Sequence, residues 1–496
     1  MKEHKLAAIL SYVNLGLTNL TGILVTPYVI KALGNQEYGL YTLIGAFVGY
    51  LSVLDLGLNN AIIRYVAQYR VQKDEKSQEN FLATSLIIYC AIAVLLTVLG
   101  SLFYFNLDYF FSKSLTIEEL HKAKIMLIIL VFNIAFTLPG GAFTGICSGY
   151  EKFIFPRILS ILKVIIRTIT LIFILHFGSN SIGVVVLDTI VNLVFILTTI
   201  WYTFFKLKVK IKLHQWDFSF VKEIFKYSFW IFLFALVYQF QWRTGQVILG
   251  STTNTTTVAI FGVGVMLGVY FTTFGNIINS LLLPKAVQAV YNNVSNEVLT
   301  DQMIKVGRIS YLLLIYVFGA FLLTGQDFIK LWIGELYLPA YWIALSIMAV
   351  YIIPIAQGYS HAILDAKKML RFKSLNFLLF SIVGAVLGYF LSKEFGVYGM
   401  IAGLVSAIFL LQIVMNVYYQ FKLKLNMSKF FKAIIKITLL IVILIIISYY
   451  ILTYFNFKLS WFIFILKNVG FSFFFFIVVY LIITEEEKKN IFRFKS

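Results

Sequence analysis

The chain has 496 residues, of which 60% are hydrophobic and only 13% charged, and its net charge is +19. A soluble domain has about a quarter charged residues, so so long a chain of this composition could not stay dissolved in water. The basic excess could suit nucleic acid, but the lysines and arginines punctuate apolar runs instead of forming one patch, which argues against that partner.

In lipid an unsatisfied backbone amide costs several kcal/mol, so spanning segments are either helices or a closed barrel. The runs here show no strict alternation, which leaves the helix. Met1 to Lys5 form a basic stub with no cleavable leader behind it, and the first run itself reads as the insertion signal. In chain order, runs long enough to cross lie at 7–30, 39–63, 81–106, 125–149, 158–177, 183–205, 227–250, 257–284, 309–325, 340–364, 374–392, 397–421, 434–454 and 461–483. The expected fold is an all-α integral membrane protein with about 14 transmembrane helices. An even number places both termini on one side.

Loop charges orient the chain, because lysine and arginine gather on the cytoplasmic side. Of the 41 such residues, 30 fall in loops on the side of the N-terminus (Lys436 counted with its loop) and 7 in the opposite loops. Both termini are therefore expected in the cytoplasm. No loop exceeds about 25 residues, too short for a folded extramembrane domain. Function is expected among the helices.

An internal repeat is visible. Lys152 follows Pro139 by 13 residues, and Lys367 follows Pro354 by the same interval. Tyr50 and Asn59 correspond to Tyr270 and Asn279 at an offset of 220. The pattern predicts two six-helix lobes, 1–210 and 211–425, followed by a helix pair and cytoplasmic tail in 426–496. Lobes of six helices share one topology, as in many transporters.

Ionisable groups inside spans are costly and usually face a cavity or a partner. Lys163 and Arg167 lie four apart on one face of the fifth run, separated by about 6 Å of rise. Arg243 sits in the seventh run among Gln239, Gln241 and Gln246. These three cations are the candidate anion-binding groups; for Lys163 and Arg167 the alternatives are snorkelling to the cytoplasmic face and pairing with Asp188 or Asp55. Asp55, followed by Gly57, Asn59 and Asn60, and Asp188 are candidates for ion coupling or structural polar contacts. Lys467 lies near the outer end of its run, from which it is expected to snorkel. The excess of cations suits an anionic solute such as a diphosphate.

Catalytic and metal signatures are missing from the sequence. There is no GxxxxGK[ST] loop, the five histidines lack ligand spacing, and Cys90 and Cys147 have no close cysteine neighbour. Asp108, Glu118 and Glu119 are expected to be solvated in an outer loop. No cofactor and no metal is expected, nor enzymatic activity.

The stretches Pro27-Tyr28, Ala32-Leu33-Gly34 and Glu37-Tyr38-Gly39-Leu40-Tyr41, then Leu54-Asp55-Leu56-Gly57-Leu58 through Arg64-Tyr65, and Gly145 to Gly149 with Glu151-Lys152-Phe153, resemble Wzx-type polysaccharide flippases. These belong to the multidrug/oligosaccharidyl-lipid/polysaccharide (MOP) exporter superfamily. The resemblance implies two six-helix lobes around a central cavity, a cationic lumen, and translocation of an undecaprenyl-diphosphate-linked oligosaccharide (O-antigen, capsule or exopolysaccharide unit) across the bacterial cytoplasmic membrane. The partners it implies are that lipid-linked substrate, the bilayer and polysaccharide assembly proteins. Peptidoglycan-precursor flippases and drug antiporters of the superfamily stay open as alternatives, as does a polytopic O-antigen polymerase or ligase.

Overall fold

The computed structural model describes residues 2–216, 218–280, 282–367, 369–455 and 458–482. Among them there is no strand, and twelve helices are long and apolar enough to cross a membrane. The protein is a multi-pass helical membrane protein.

The first helix, α1, covers Lys2–Leu33, with Pro27 inside it. The second expected run is broken: α2 (Asn35–Ser52) ends in a 3-10 turn at Val53–Asp55, and α3 (Leu58–Gln72) begins afresh. Leu56 and Gly57 both adopt left-handed backbone (φ 52° and 71°), which ends an α-helix. Asp74 caps α4 (Glu75–Phe111), accepting from the Ser77 amide at 3.0 Å. A capping box of Thr116 and Glu119 opens α5 (Ile117–Gly149), so Glu119 is a structural group rather than a solvated loop charge. Asp108 likewise lies in α4 and pairs with Lys124 at 2.6 Å. α6 (Ile154–His176) and α7 (Ser181–Trp201) follow, α7 capped by Asn180 and ending in a π turn at Tyr202–Lys206.

The run expected at 227–250 is divided at Arg243 between α8 (Phe218–Trp242) and α9 (Thr244–Thr252), and is not among the twelve. Beyond it come α10 (Thr255–Ser280), α11 (Leu282–Tyr291), α12 (Asn296–Ile333), α13 (Leu338–Ala356) and α14 (Gly358–Ala366). α15 (Leu370–Phe421) holds the two runs expected at 374–392 and 397–421, joined through Gly396 in non-helical geometry (φ 53°, ψ −129°). Its arms fold back on each other: a Cβ at Gly384 would meet Ala407, and one at Gly388 would meet Met400. One helix of the twelve thus supplies two expected crossings. α16 (Met427–Tyr454) and α17 (Trp461–Ile482) complete the described chain.

The chain forms two compact units, Met1–Gly262 with Gly388–Met400, and Val263–Leu387 with Ile401–Ser496. The first unit runs beyond the sequence boundary at 210 because α8 and α9 pack on α2 and α3. Within it, α5 is central, touching α2, α3, α4 and α7. Small residues permit the close approach: a Cβ at Gly140 would meet Ile196, one at Gly149 would meet Val66, and one at Gly145 would collide with Asn59. In the second unit, Gly264, Gly268 and Gly275 of α10 lie against Ile343, Ile347 and Ile355 of α13. There a Cβ at Gly358 would collide with Asn279. The Asn59–Gly145 contact thus has a counterpart in Asn279–Gly358. A second repeated device is a glutamine–tyrosine bond, Gln78 Nε2 donating to the Tyr150 hydroxyl at 2.8 Å and the Tyr359 hydroxyl donating to Gln302 Oε1.

Candidate functional site: a charged ladder in the first unit

On α6, Lys163 and Arg167 are one turn apart; on α7, Asp188 and Asn192 are one turn apart as well. The two helices are joined by only four residues and pack together, so the pairs meet as rungs. Arg167 Nε donates to Asp188 Oδ1 at 2.6 Å and Nη2 to Oδ2 at 3.0 Å. This bidentate fork is the strong form of the arginine–carboxylate contact. The Tyr41 hydroxyl on α2 donates to Asp188 Oδ2 at 3.0 Å, fixing the carboxylate from a third helix.

One turn toward the N-terminus of α6, Lys163 Nζ donates to Asn192 Oδ1 at 2.5 Å. Asn192 Nδ2 in turn donates to Asn133 Oδ1 at 2.7 Å and to the Thr137 hydroxyl at 2.5 Å on α5. Asn133 Nδ2 continues the chain to Thr189 at 3.2 Å. Two neighbouring polar clusters therefore tie four helices, one joining α2, α6 and α7 and the other α5, α6 and α7. Asp188 cancels the charge of Arg167, while Lys163 has a neutral amide as its side-chain hydrogen-bond partner. The excess positive charge of the ladder belongs to Lys163. Asn133, Thr137 and Asn192 were not singled out in the sequence, and Tyr41 entered only within the family-like stretch; the spacing of Asn192, one turn after Asp188, was the available signal.

Arg243 stands apart from this ladder. It precedes α9 at the break, and its side chain lies against α2, with Cγ and Nε each 3.6 Å from the Cβ position of Gly49. Its side chain makes no hydrogen bond or ion pair among the described residues. Around it, the Tyr50 and Thr244 hydroxyls bond each other, and buried Gln239 Oε1 and Gln246 Oε1 have no partner in the described structure. Tyr41 and Gly49 are eight residues apart on α2, so the two cationic places are about 12 Å apart along that helix.

Asp55, at the break after α2, accepts from the Tyr89 hydroxyl at 2.9 Å. Asp188 and Asp55 thus occupy separate places in the unit. Lys467 corrects the expectation of snorkelling. Its Nζ lies 2.7 Å from Asp327 Oδ2, and only 15% of its side chain is exposed. The reason is the length of α12, which continues through Asp327 to Ile333 where a loop from 326 was expected. One turn of α12 before Asp327, Thr324 and Asn468 bond at 3.1 Å, making a polar seam between α12 and α17.

The second unit holds amides where the first holds charges. Gln412 Nε2 donates to Gln357 Oε1 at 2.7 Å, with Asn416 Oδ1 at 3.3 Å. Gln412 stands 220 positions after Asn192, the interval that relates Asn59 to Asn279.

The fold is that of MOP-superfamily transporters. It matches the structure of the Lipid II flippase MurJ in an inward closed conformation at TM-score 0.72 and 16% identity, covering 96% of this chain and 98% of that one. It also matches an inward-facing multidrug resistance MATE family transporter of the MOP superfamily at TM-score 0.67 and 14% identity, over 82% of this chain and 94% of that one. Residues 6–290 match the model of the family described as polysaccharide biosynthesis protein, and the chain belongs to that family. A curated relative, the uncharacterized membrane protein EpsK of Bacillus subtilis (strain 168), is 23% identical over 329 residues, 62% of this chain. That match spans 61% of the relative's own length.

Proposed function

We propose that the protein moves an undecaprenyl-diphosphate-linked oligosaccharide across the bacterial cytoplasmic membrane by alternating access, its termini in the cytoplasm. The observation that supports this most is the uncompensated charge of the first unit, Lys163 within a span and Arg243 at the break between α8 and α9. With the Asp188 carboxylate taken up by the fork from Arg167, neither Lys163 nor Arg243 forms an ion pair among the described residues. A cation at membrane depth costs about 2.5–3.5 kcal/mol on insertion scales, so two left unpaired call for an anion. A diphosphate supplies it, and ammonium and guanidinium groups bind diphosphates well. Arg167 then holds Asp188 in place and shapes the site, with Lys163 and Arg243 meeting the substrate. Asp188 and Asp55 serve as structural polar groups. Two lobes and the added pair α16 and α17 form the moving frame, and polysaccharide assembly proteins receive the product.

Family membership favours a glycan cargo. A second reading, transport of a peptidoglycan lipid precursor, draws on the likeness to the flippase MurJ over nearly the whole chain. The test is complementation of a deletion strain with Lys163→Gln and Arg243→Gln combined. Export of the glycan should stop while the protein remains in the membrane at its normal level; undiminished export would overturn the assignment. Flipping of labelled lipid-linked glycan against labelled peptidoglycan precursor in liposomes separates the two cargoes.

A further inference from the structure

A second basic place lies at the loop end of the first unit, away from the ladder. The end of α3, the start of α4, Tyr150 after α5 and the segment after α7 enclose a pocket of about 520 Å³. Its cations are Arg70, Lys73, Lys208 and Lys210; its carboxylates are Glu75 and Glu79. Arg70 is held from two sides, donating to the Gly149 carbonyl at 3.2 Å and lying 4.4 Å above the centre of the Tyr150 ring. Tyr150 is itself fixed by Gln78, which is buried. Glu79 is engaged by His214 at 2.8 Å. Lys73, Lys208 and Lys210 make no side-chain contact of this kind among the described residues.

Basic loops on this side orient the chain, and that alone would account for lysines scattered over the surface. The second unit supplies the control. There the start of α12 and the segment between α15 and α16 form a pocket of about 460 Å³ with Glu297, Asp301, Lys424 and Lys429. Glu75 and Glu79 correspond to Glu297 and Asp301 at a common offset of 222. In the second unit cations and carboxylates are equal in number, and Lys429 pairs with Asp301 at 2.6 Å. The first unit keeps the same two carboxylate positions and doubles the cations.

We propose that the pocket of Arg70, Lys73, Lys208 and Lys210 binds a phosphate-bearing anion, with Arg70 as the pre-positioned fork and the lysines as point charges around it. Its size suits an anionic phospholipid headgroup or a soluble phosphate compound. The inference is independent of the transported cargo.

The experiment uses the purified full-length chain and two probes. Inorganic pyrophosphate is titrated calorimetrically, and retention of phosphatidylglycerol is read by native mass spectrometry from mixed phosphatidylcholine–phosphatidylglycerol nanodiscs. The pocket variant is Lys73→Gln, Lys208→Gln and Lys210→Gln combined. The charge-matched control is Lys422→Gln, Lys432→Gln and Lys436→Gln. Loss of about a hundredfold in affinity for at least one probe, confined to the pocket variant, is expected. A loss for pyrophosphate alone identifies a soluble phosphate; a loss for phosphatidylglycerol identifies the lipid. Equal binding by the pocket variant and the native chain, or equal loss in the control, overturns the proposal. Should the pocket variant fail to fold, Lys208→Gln alone is measured, with a loss of about fivefold expected. No loss there overturns the proposal equally.

Discussion

The two units share a packing scheme and differ in charge. Both place an asparagine against a glycine (Asn59 on Gly145, Asn279 on Gly358), and both tie a glutamine to a tyrosine. Both also hold a polar side chain at the positions of Asn192 and Gln412, bonded to a neighbouring helix. Only the first adds Lys163, Arg167 and Asp188 to that contact, and only the first has unbalanced cations in its loop-end pocket. Neutral amide and glycine contacts hold helices together in lipid at small cost. Charges are expensive there, and a chain that concentrates them in one copy of a repeated scheme has given that copy a separate task.

The largest effect should come from stripping Arg167 of its partner. Asp188→Ala leaves a guanidinium unpaired within the spans and should cost roughly 3–5 kcal/mol, read by thermal unfolding in detergent. Arg167→Met with Asp188→Leu should recover most of that loss, since removing both charges is close to neutral. Next, Gly145→Val and Gly358→Val should each cost about 1–3 kcal/mol by overpacking. Similar losses sharpen the comparison, and a loss in one unit alone breaks the claim of a shared scheme.

Lys163→Gln should change stability by less than about 1 kcal/mol, because its side-chain partner is neutral, yet lower transport by roughly tenfold or more. A fall in stability with transport retained would make it a structural group. Gln412→Leu in the second unit should cost only about 0.6 kcal/mol and leave transport unchanged. The smallest effect is local. The bond from Ser77 holds the Asp74 carboxyl below its ordinary range, so the cap is complete above the unfolded value and is lost as pH falls through the lowered one. Acidification should lower the protection factor of the Ser77 amide, its exchange rate taken relative to the intrinsic rate at each pH, and Asp74→Ala should remove that dependence.

Much of the fold was legible in the sequence. Apolar runs located the helices, because lipid demands them wherever backbone crosses it. The breaks were not legible: Leu56 and Gly57 lie inside an apolar run, and left-handed backbone at a leucine has no sequence signature. Length misled at α12, where Asp327 looked like loop because its partner Lys467 is 140 residues away. The candidate cations were legible as costly residues, and Asp188 was the foreseen alternative partner for Arg167. Tyr41 and the Asn133–Asn192 contacts were not, since ordinary polar residues in spans announce no partner. Lys163 gained weight and Arg167 lost it once the pairing was seen.

The Arg167–Asp188 fork also bears on how the chain enters the membrane. During synthesis α6 emerges first, and its arginine alone would resist partition into the bilayer by about 2.5–3.5 kcal/mol. After a connection of only four residues α7 follows, and it delivers the carboxylate 21 residues after the arginine. Helices that left the translocon together would enter the bilayer as a hairpin neutral at the fork. A longer spacer between His176 and Ser181 should delay that release and leave α6 stalled, exposed to quality-control proteolysis before any lobe exists.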